Sequence, residues 1–370
     1  MKKYSLVGLV AALVAVSALV FVSLGSARPQ AATADKVTLQ LKWVPQSQFA
    51  GYYAAAAKGY YKQFGLDVTL KPGGPDITPE QVVASGQAQF GIDWLPSLLA
   101  TRDQGGDLVN IAQVFNKSGM TELTHKASGI TTVAQMKGKS VGVWCCGNEN
   151  ELFAALVKNG IDPKDSKSVK IVNQPFDMTL FLQNKVDAAA AMTYNELAQV
   201  LETKNPDTGK LYTLKDLNVI TMEKAGTAML EDGIFTTGAY LKDAKNRDVA
   251  TRFIAASLKG WAFCRNNVAA CTSIVLKNGT LLGKGHQTWQ MNEINKLAWP
   301  APGGVGVMNA KAFNRTAAIA KQFKVIKKAP SSAYRTDLAK SALVLLKKQG
   351  VDVVGASYKP VTVKVTPGGK

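Results

Sequence analysis

The chain has 370 residues, 46% of them hydrophobic and 19% charged, and a formal net charge of +18. This balance excludes a disordered polymer and provides length for about two ordinary domains. The lysines are scattered, with no basic stripe interleaved with aromatics and no nucleic-acid motif, so a solvated basic surface and no nucleic-acid partner are expected.

Lys2 and Lys3 precede an apolar run from Leu6 to Leu24, followed by small residues at Gly25-Ser26-Ala27 and Ala32-Thr33-Ala34. A basic start, an apolar run and a small-x-small site form the pattern of a secretory signal peptide. Residues 1–34 are therefore expected to export the chain to the periplasmic or extracellular face of the cytoplasmic membrane, away from cytosolic ATP, NADH and reduced glutathione. The run also approaches the roughly 18 to 20 residues that span a bilayer. Left uncleaved, it would serve as an N-terminal anchor and associate the protein with the membrane.

Beyond it, Val37–Leu41 reads as a strand, Gly51–Tyr61 as one Ala-rich helix and Asp67–Leu70 as the next strand. Gly73-Gly74-Pro75-Asp76 makes a tight loop before a helix at Pro79–Ser85. Gln89–Ile92 reads as a strand, Leu95–Arg102 as a helix and Leu108–Val114 as a strand. The rhythm restarts after a loop around Lys117–Gly129. Strands at Ser140–Trp144, Val169–Val172 and Ala188–Met192 then alternate with helices at Glu149–Lys158, Met178–Gln183 and Glu196–Glu202. Such alternation predicts βαβ units and mainly parallel sheets. Beyond Asp232 the pattern turns helical: Arg247–Phe263, Val268–Lys277, His286–Lys296, Ala310–Phe323 and Tyr334–Lys348. Two α/β lobes predict a cleft between them, lined by loops at the carboxyl ends of strands.

Cysteines occur as two close pairs. On one continuous helix the Cα atoms of Cys264 and Cys271 would stand about 10.5 Å apart, too far for a disulfide. A helix break at Arg265-Asn266-Asn267 would let them meet, and in an oxidising compartment that bridge is expected. Adjacent Cys145 and Cys146 lie about 3.8 Å apart at Cα, below the usual disulfide range.

Enzyme signatures are thin. His125 and His286 are the only histidines, neither in a metal-binding arrangement, and no nucleophile elbow or Walker loop occurs. The sequence argues for binding without a cofactor or metal, and against catalysis. In Val141–Glu149 a strand runs through Cys145, Cys146 and Gly147 into a helix, with Asn148 as the expected N-cap. The N–H groups there could receive an anion or a carbonyl-rich ring, although Glu149 already complements the dipole. Trp43, Trp94 and Tyr194 follow strands and could sandwich a flat ring, with Tyr52 on the first helix. Lys42, Asp93, Asn148, Asn195 and Glu196 could hydrogen-bond its edge. Asp76, Glu231 and Asp232 are further carboxylates at strand or loop ends.

Leu41-Lys42-Trp43-Val44-Pro45-Gln46, Phe49-Ala50-Gly51-Tyr52-Tyr53, Lys58-Gly59-Tyr60-Tyr61 and Gly65-Leu66-Asp67-Val68 resemble a known family. So do Gly73-Gly74-Pro75-Asp76, Glu231-Asp232-Gly233-Ile234-Phe235 and Gly283-Lys284-Gly285-His286-Gln287-Thr288-Trp289. These motifs are similar to the thiamine-pyrimidine-synthase-like (SsuA/THI5-like) group of ABC-importer substrate-binding proteins. The resemblance implies an α/β, type II periplasmic-binding-protein fold: two Rossmann-like lobes, a hinge and a helical C-terminal region. Residues 35–120 and 233–350 would form the first lobe, 121–232 the second, and 351–370 a basic tail. It also implies a small vitamin or precursor ligand and an ABC permease as partner. Cys145-Cys146 falls where relatives carry a phosphate-gripping loop, and Thr193 where they carry the acid that reads a pyrimidine. Met192–Glu196 looks more like the flavin-binding members, which favours riboflavin over a thiamine pyrimidine precursor. The alternative is the enzymatic branch, which builds the pyrimidine from histidine and pyridoxal phosphate with iron. In this chain iron would fall to Cys145, Cys146 and His125.

Overall fold

The computed structural model describes residues 33–145 and 147–368, and the expected signal or anchor at the N-terminus lies outside them. Among the described residues no helix is long and apolar enough to cross a membrane. From Ala34 onward the chain folds as one unit around two five-stranded sheets.

The first sheet begins with β1 (Asp35–Gln40). Helices α1 (Ala50–Ala57) and α2 (Tyr60–Gln63) follow, then β2 (Leu66–Lys71), α3 (Pro79–Ala84), β3 (Phe90–Trp94), α4 (Leu95–Asp103) and β4 (Leu108–Gln113). The second sheet contains β5 (Met120–His125), β6 (Ser140–Val143), α5 (Asn150–Lys158), β7 (Lys170–Asn173), α6 (Thr179–Leu182), β8 (Ala188–Met192), α7 (Glu196–Leu201), β9 (Leu217–Thr221) and α8 (Met222–Ala225). The chain then returns to the first sheet as β10 (Asp232–Thr237). It ends in α9 (Ala244–Asn266), α10 (Val268–Asn278), α11 (Lys284–Ala298), α12 (Ala310–Gln322) and α13 (Asp337–Lys348).

The strand orders are β2-β1-β3-β10-β4 and β7-β6-β8-β5-β9. Each sheet has a parallel half and one antiparallel insertion. β10 lies between β3 and β4, and β5 lies between β8 and β9. Three strands are therefore additions to the sequence reading. Met120–His125 is a strand where a loop was expected, and β9 and β10 carry no alternating signal of their own. The single helix expected over Gly51–Tyr61 is also corrected. Gly59 adopts φ +69° and separates α1 from α2, a left-handed turn that glycine enters at no steric cost.

Both central strands are fully buried: Phe90–Trp94 in the first sheet and the Ala-rich Ala188–Met192 in the second. Buried on both faces, such strands need apolar or small residues, and their one charged side chain, Asp93, is paired with Lys42. Helix α9 packs on α1 so closely that a Cβ added to Gly260 would stand 2.0 Å from the Gly51 carbonyl oxygen. The helix break at Asn267 brings Cys264 and Cys271 to a Cα separation of 5.2 Å, and they form a disulfide.

Two segments cross between the sheets, residues 114–119 and 226–231. Glu231 joins them: its Oε1 accepts from Gly119 N at 2.6 Å and lies 3.0 Å from Ser118 Oγ. The same hydroxyl stands 2.8 Å from Glu151 Oε2 on α5, and Glu151 Oε1 accepts from Met229 N at 2.9 Å. Ser118 Oγ also accepts from Met120 N. A hydroxyl has one proton to donate, so bonding both carboxyls requires one of them to be protonated. Burial raises Glu151 to about 8 and pushes Glu231 well above the carboxylate range, where the Glu151 and Asp232 charges raise it further.

Candidate ligand-binding cleft

The carboxyl ends of the parallel strands of both sheets border a common cleft, which divides into an inner slot of about 50 Å³ and an outer chamber of about 910 Å³. The first lobe supplies Lys42 and Trp43 after β1, and Asp93 and Trp94 at the end of β3. The second supplies Trp144 after β6, and Tyr194, Asn195 and Glu196 after β8.

The slot is walled by Trp43, Trp94, Trp144, Phe176 and Tyr194. Trp43 and Phe176 meet edge to face across the cleft, with ring centroids 4.5 Å apart. Trp144 is locked by donating its Nε1 hydrogen to the Pro175 carbonyl at 3.2 Å.

Charged groups cluster in and around the two compartments. Lys42 Nζ binds Asp93 Oδ1 and lies 5.0 Å from the centroid of the Trp94 ring. Burial alone would lower the Lys42 pKa, but Asp93, with Glu80 and Asp232 behind it, raises it above its ordinary value. Asp93 Oδ1 also accepts from Trp94 N at 2.6 Å. Glu80 borders the chamber and is 1% exposed, with Oε1 lacking a hydrogen-bond partner. Burial and the Asp93 charge push it well above the carboxylate range. Asp232 is held by Gln48 Nε2 at 3.0 Å, Gln48 accepts from Gln46, and Gln46 accepts from Gln290 of α11. Burial lifts Asp232 to about 7, a shift reduced by the Gln48 bond and Lys42. Glu196 is likewise raised by burial to about 7, against bonds from Met192 N and Asn195.

The chamber is bordered by Asp76 on the Gly-Gly-Pro-Asp loop and by Cys145, Gly147, Asn148 and Glu149 on the loop after β6. Cys145 is disulfide-bonded, and Cys146 lies outside the described residues. Gly147, at φ +108°, approaches the other lobe so closely that a Cβ would stand 2.7 Å from Ser97 Oγ. Two expectations for this loop are corrected. Asn148 is not the cap: α5 starts after Glu149, and Asn148 Nδ2 instead donates to the Cys145 carbonyl at 3.2 Å. The exposed N–H groups expected to receive a ligand are partly engaged, because Glu149 Oε2 accepts from Gly147 N at 2.8 Å.

Three further candidates do not border the cleft. Tyr52 is buried in the core, packed edge to face on Trp261. Thr193 is spent on backbone contacts, its N–H to Gly119 O and its carbonyl to Trp289. Glu231 ties the crossings instead. His125 stacks on Phe181 at 4.2 Å, and among the described residues no group of three or more metal-ligating side chains is gathered. Sequence reasoning did not single out Gln46, Gln48, Glu80, Trp144 or Phe176 as contacts. The loop after β7, which carries Phe176, follows the same strand-end rule that located the others.

A family model described as NMT1/THI5 like matches residues 46–269. Over 139 residues, 37% of this chain, it is 30% identical to a yeast (Saccharomyces cerevisiae) 4-amino-5-hydroxymethyl-2-methylpyrimidine phosphate synthase, of which that stretch covers 40%. It is 26% identical to the riboflavin-binding protein RibY of Chloroflexus aurantiacus, over 62% of each chain. The matched stretches thus span less than two thirds of these relatives. Among solved structures it resembles a sulfonate-binding protein, SsuA, of a sulfonate ABC transporter from Methylobacillus flagellatus. That similarity has a TM-score of 0.61 at 15% identity and covers 90% of this chain and 99% of the other. The two-sheet α/β architecture is a periplasmic-binding-protein fold.

Proposed function

The chain belongs to the NMT1/THI5-like family, and on that footing we propose that it is the extracytoplasmic substrate-binding component of an ABC importer for riboflavin or a related flat heteroaromatic vitamin. The observation that carries this reading is the pairing of an aromatic slot with a polar chamber. Five aromatic side chains offer faces and edges to a planar ring, while Asp76, Glu80, Asp93, Glu149 and Asn148 border the space beyond it. A ring bearing a polyhydroxylated chain has both requirements. Asp76 and Glu149 border this space with no cation beside them among the described residues and repel a phosphate, so the free vitamin is preferred to its phosphate ester. Lys42, among the described residues the one cation bordering either compartment, is already matched by Asp93.

The relative named for riboflavin supports the same ligand. The slot's small volume favours a second reading, a single-ring thiamine pyrimidine precursor, unless the Trp43–Phe176 contact opens to admit a wider ring. The cleft is read as non-catalytic because its titratable groups are largely matched among themselves: Lys42 with Asp93, Asp232 with Gln48 and Glu196 with Asn195. Ligand would enter between open lobes, shift the population toward the closed form and present it to a permease. Export by the leader in residues 1–34 belongs to this proposal.

Isothermal titration with riboflavin, its phosphate ester, formylaminopyrimidine and hydroxymethylpyrimidine tests the reading. Riboflavin is expected to bind below about 1 μM, roughly −8 kcal/mol, with the phosphate ester at least tenfold weaker. Binding of none of the four below about 10 μM would overturn it.

A further inference from the structure

The segment Gly283–Trp289 carries part of the family resemblance, yet none of its residues borders the cleft compartments. It opens helix α11, which contacts ligand-facing loops of both lobes. Toward the first lobe, Gln287 Oε1 and Gln290 Oε1 accept from Ser47 N at 2.7 and 2.8 Å. Gln290 also holds Gln46, whose partner Gln48 binds Asp232. Toward the second lobe, Trp289 Nε1 donates to the Thr193 carbonyl at 3.1 Å. His286 uses both ring nitrogens there: Nδ1 stands 3.0 Å from Glu202 Oε2, and Nε2 stands 2.8 Å from Asn195 Oδ1.

Hydrogen-bond accounting orients this chain of groups. Asn195 Nδ2 donates to Glu196 Oε1 at 2.6 Å, so its Oδ1 faces the imidazole, and His286 Nε2 carries the proton between them. The second Glu196 oxygen accepts from Met192 N at 2.9 Å. The side chains of His286 and Glu202 are each 2% exposed. A continuous line, Glu202–His286–Asn195–Glu196, thus runs from the buried interface between the lobes to the wall of the slot.

We propose that His286 is a positioning residue that acts through Asn195 to aim the Glu196 carboxyl at the ligand. This orientation is complete only when α11 of the first lobe lies against α7 of the second. The proposal rests on the cleft being the ligand site. Its consequence is that lobe closure and ligand recognition share one contact. Because α11 also braces Gln46 and Gln48, one helix sets slot walls supplied by both lobes. An open form loses the His286–Asn195 bond and with it the fixed direction of Glu196.

A double-mutant cycle with riboflavin as the probe tests the coupling. Glu196→Gln and His286→Ala are each expected to weaken binding about tenfold, and the double variant no more than the worse single one. His286→Gln, whose amide can still donate to Asn195, should recover most of the affinity, whereas His286→Asn should not. Multiplying effects in the double variant would overturn the proposal. So would equal loss in His286→Gln and His286→Asn.

A second measurement needs no ligand. The chain has two histidines, so ¹⁵N-labelled imidazole spectra contain two rings. Asn195→Ala and Glu196→Gln should each move the Nε2 signal of one ring and leave the His125 ring unchanged. Signals unmoved by both substitutions refute the relay. Failure of the unmodified protein to bind riboflavin removes the proposed ligand alone, because the imidazole signals still decide whether His286 and Glu196 are coupled.

Discussion

Replacing Glu151 by Gln is expected to make the protein more stable in mild alkali and to flatten its pH dependence. Glu151 lies where α5 meets both crossing segments, accepting from Met229 N at 2.9 Å and facing Ser118 Oγ at 2.8 Å. A Gln side chain preserves this geometry. Its oxygen accepts from Met229 N, its amide donates to Ser118 Oγ, and the Ser118 hydroxyl is then free to donate to Glu231. What disappears is the titration. Burial raises Glu151 from the ordinary carboxyl value of 4.5 to about 8, so between these values the folded state holds a proton that the unfolded chain has released. Its contribution is fully present below the unfolded value and is lost as pH rises through the folded one, at roughly 1.4 kcal/mol per pH unit. From pH 6 to pH 8 the wild-type protein should lose roughly 2 to 3 kcal/mol through this group, a loss the variant avoids. Relief of the Glu231 carboxyl, which the Glu151 charge raises, adds to the gain. Urea unfolding of both proteins at pH 6 and pH 8 measures the difference. Equal pH losses in the two proteins, or a wild type that gains stability with rising pH, would refute the assignment of that buried proton to Glu151.

Other perturbations test separate parts of the structure. Phe176→Ala removes one aromatic wall of the slot, a ring contact worth about 0.5 to 1.5 kcal/mol to a stacked ligand, and should weaken riboflavin binding up to about tenfold by fluorescence titration. Gly260→Ala places a Cβ 2.0 Å from the Gly51 carbonyl oxygen; backbone on both sides must move, at a cost of about 1 to 3 kcal/mol, read as a lower thermal midpoint with the disulfide intact. Glu122 is fully buried on β5 with neither carboxyl oxygen partnered. Its replacement by Met should raise stability at pH 7 by about 1 to 3 kcal/mol, measured by urea unfolding.

What the sequence revealed about the cleft follows from one topological rule. Lys42 and Trp43, Asp93 and Trp94, Cys145 and Gly147 through Glu149, and Tyr194 through Glu196 all lie at or just after the carboxyl ends of parallel strands. Strand order alone places such loops around a cleft. The rule needs no knowledge of side-chain direction. Tyr52 lies on a helix, where direction decides, and the packing of α1 against α9 turns it onto Trp261 in the core. Thr193 and Glu231 fail for a related reason. Their positions adjoin the cleft, but Thr193's backbone and Glu231's carboxyl are engaged in holding the segments that cross between sheets.

The missed strands and the missed histidine share a physical cause, because each is defined by partners distant in sequence. β5 places Glu122 at a buried strand position, so its local polarity suggests a loop, while neighbours β8 and β9 supply the ladder that makes it a strand. β10 reads as the end of an α/β unit until its antiparallel partners β3 and β4, over a hundred residues earlier in the chain, are in place. His286 looks like an isolated helical histidine because Glu202 and Asn195 lie 84 and 91 residues away. Local periodicity registers burial and helical phase, but it carries no record of which lobe a buried polar group will face. Polar groups that join the lobes are therefore hard to recognise from sequence. Their burial still makes each unmatched donor or acceptor costly, so the hinge carboxyls and the α11 relay become legible only once the fold brings their partners together.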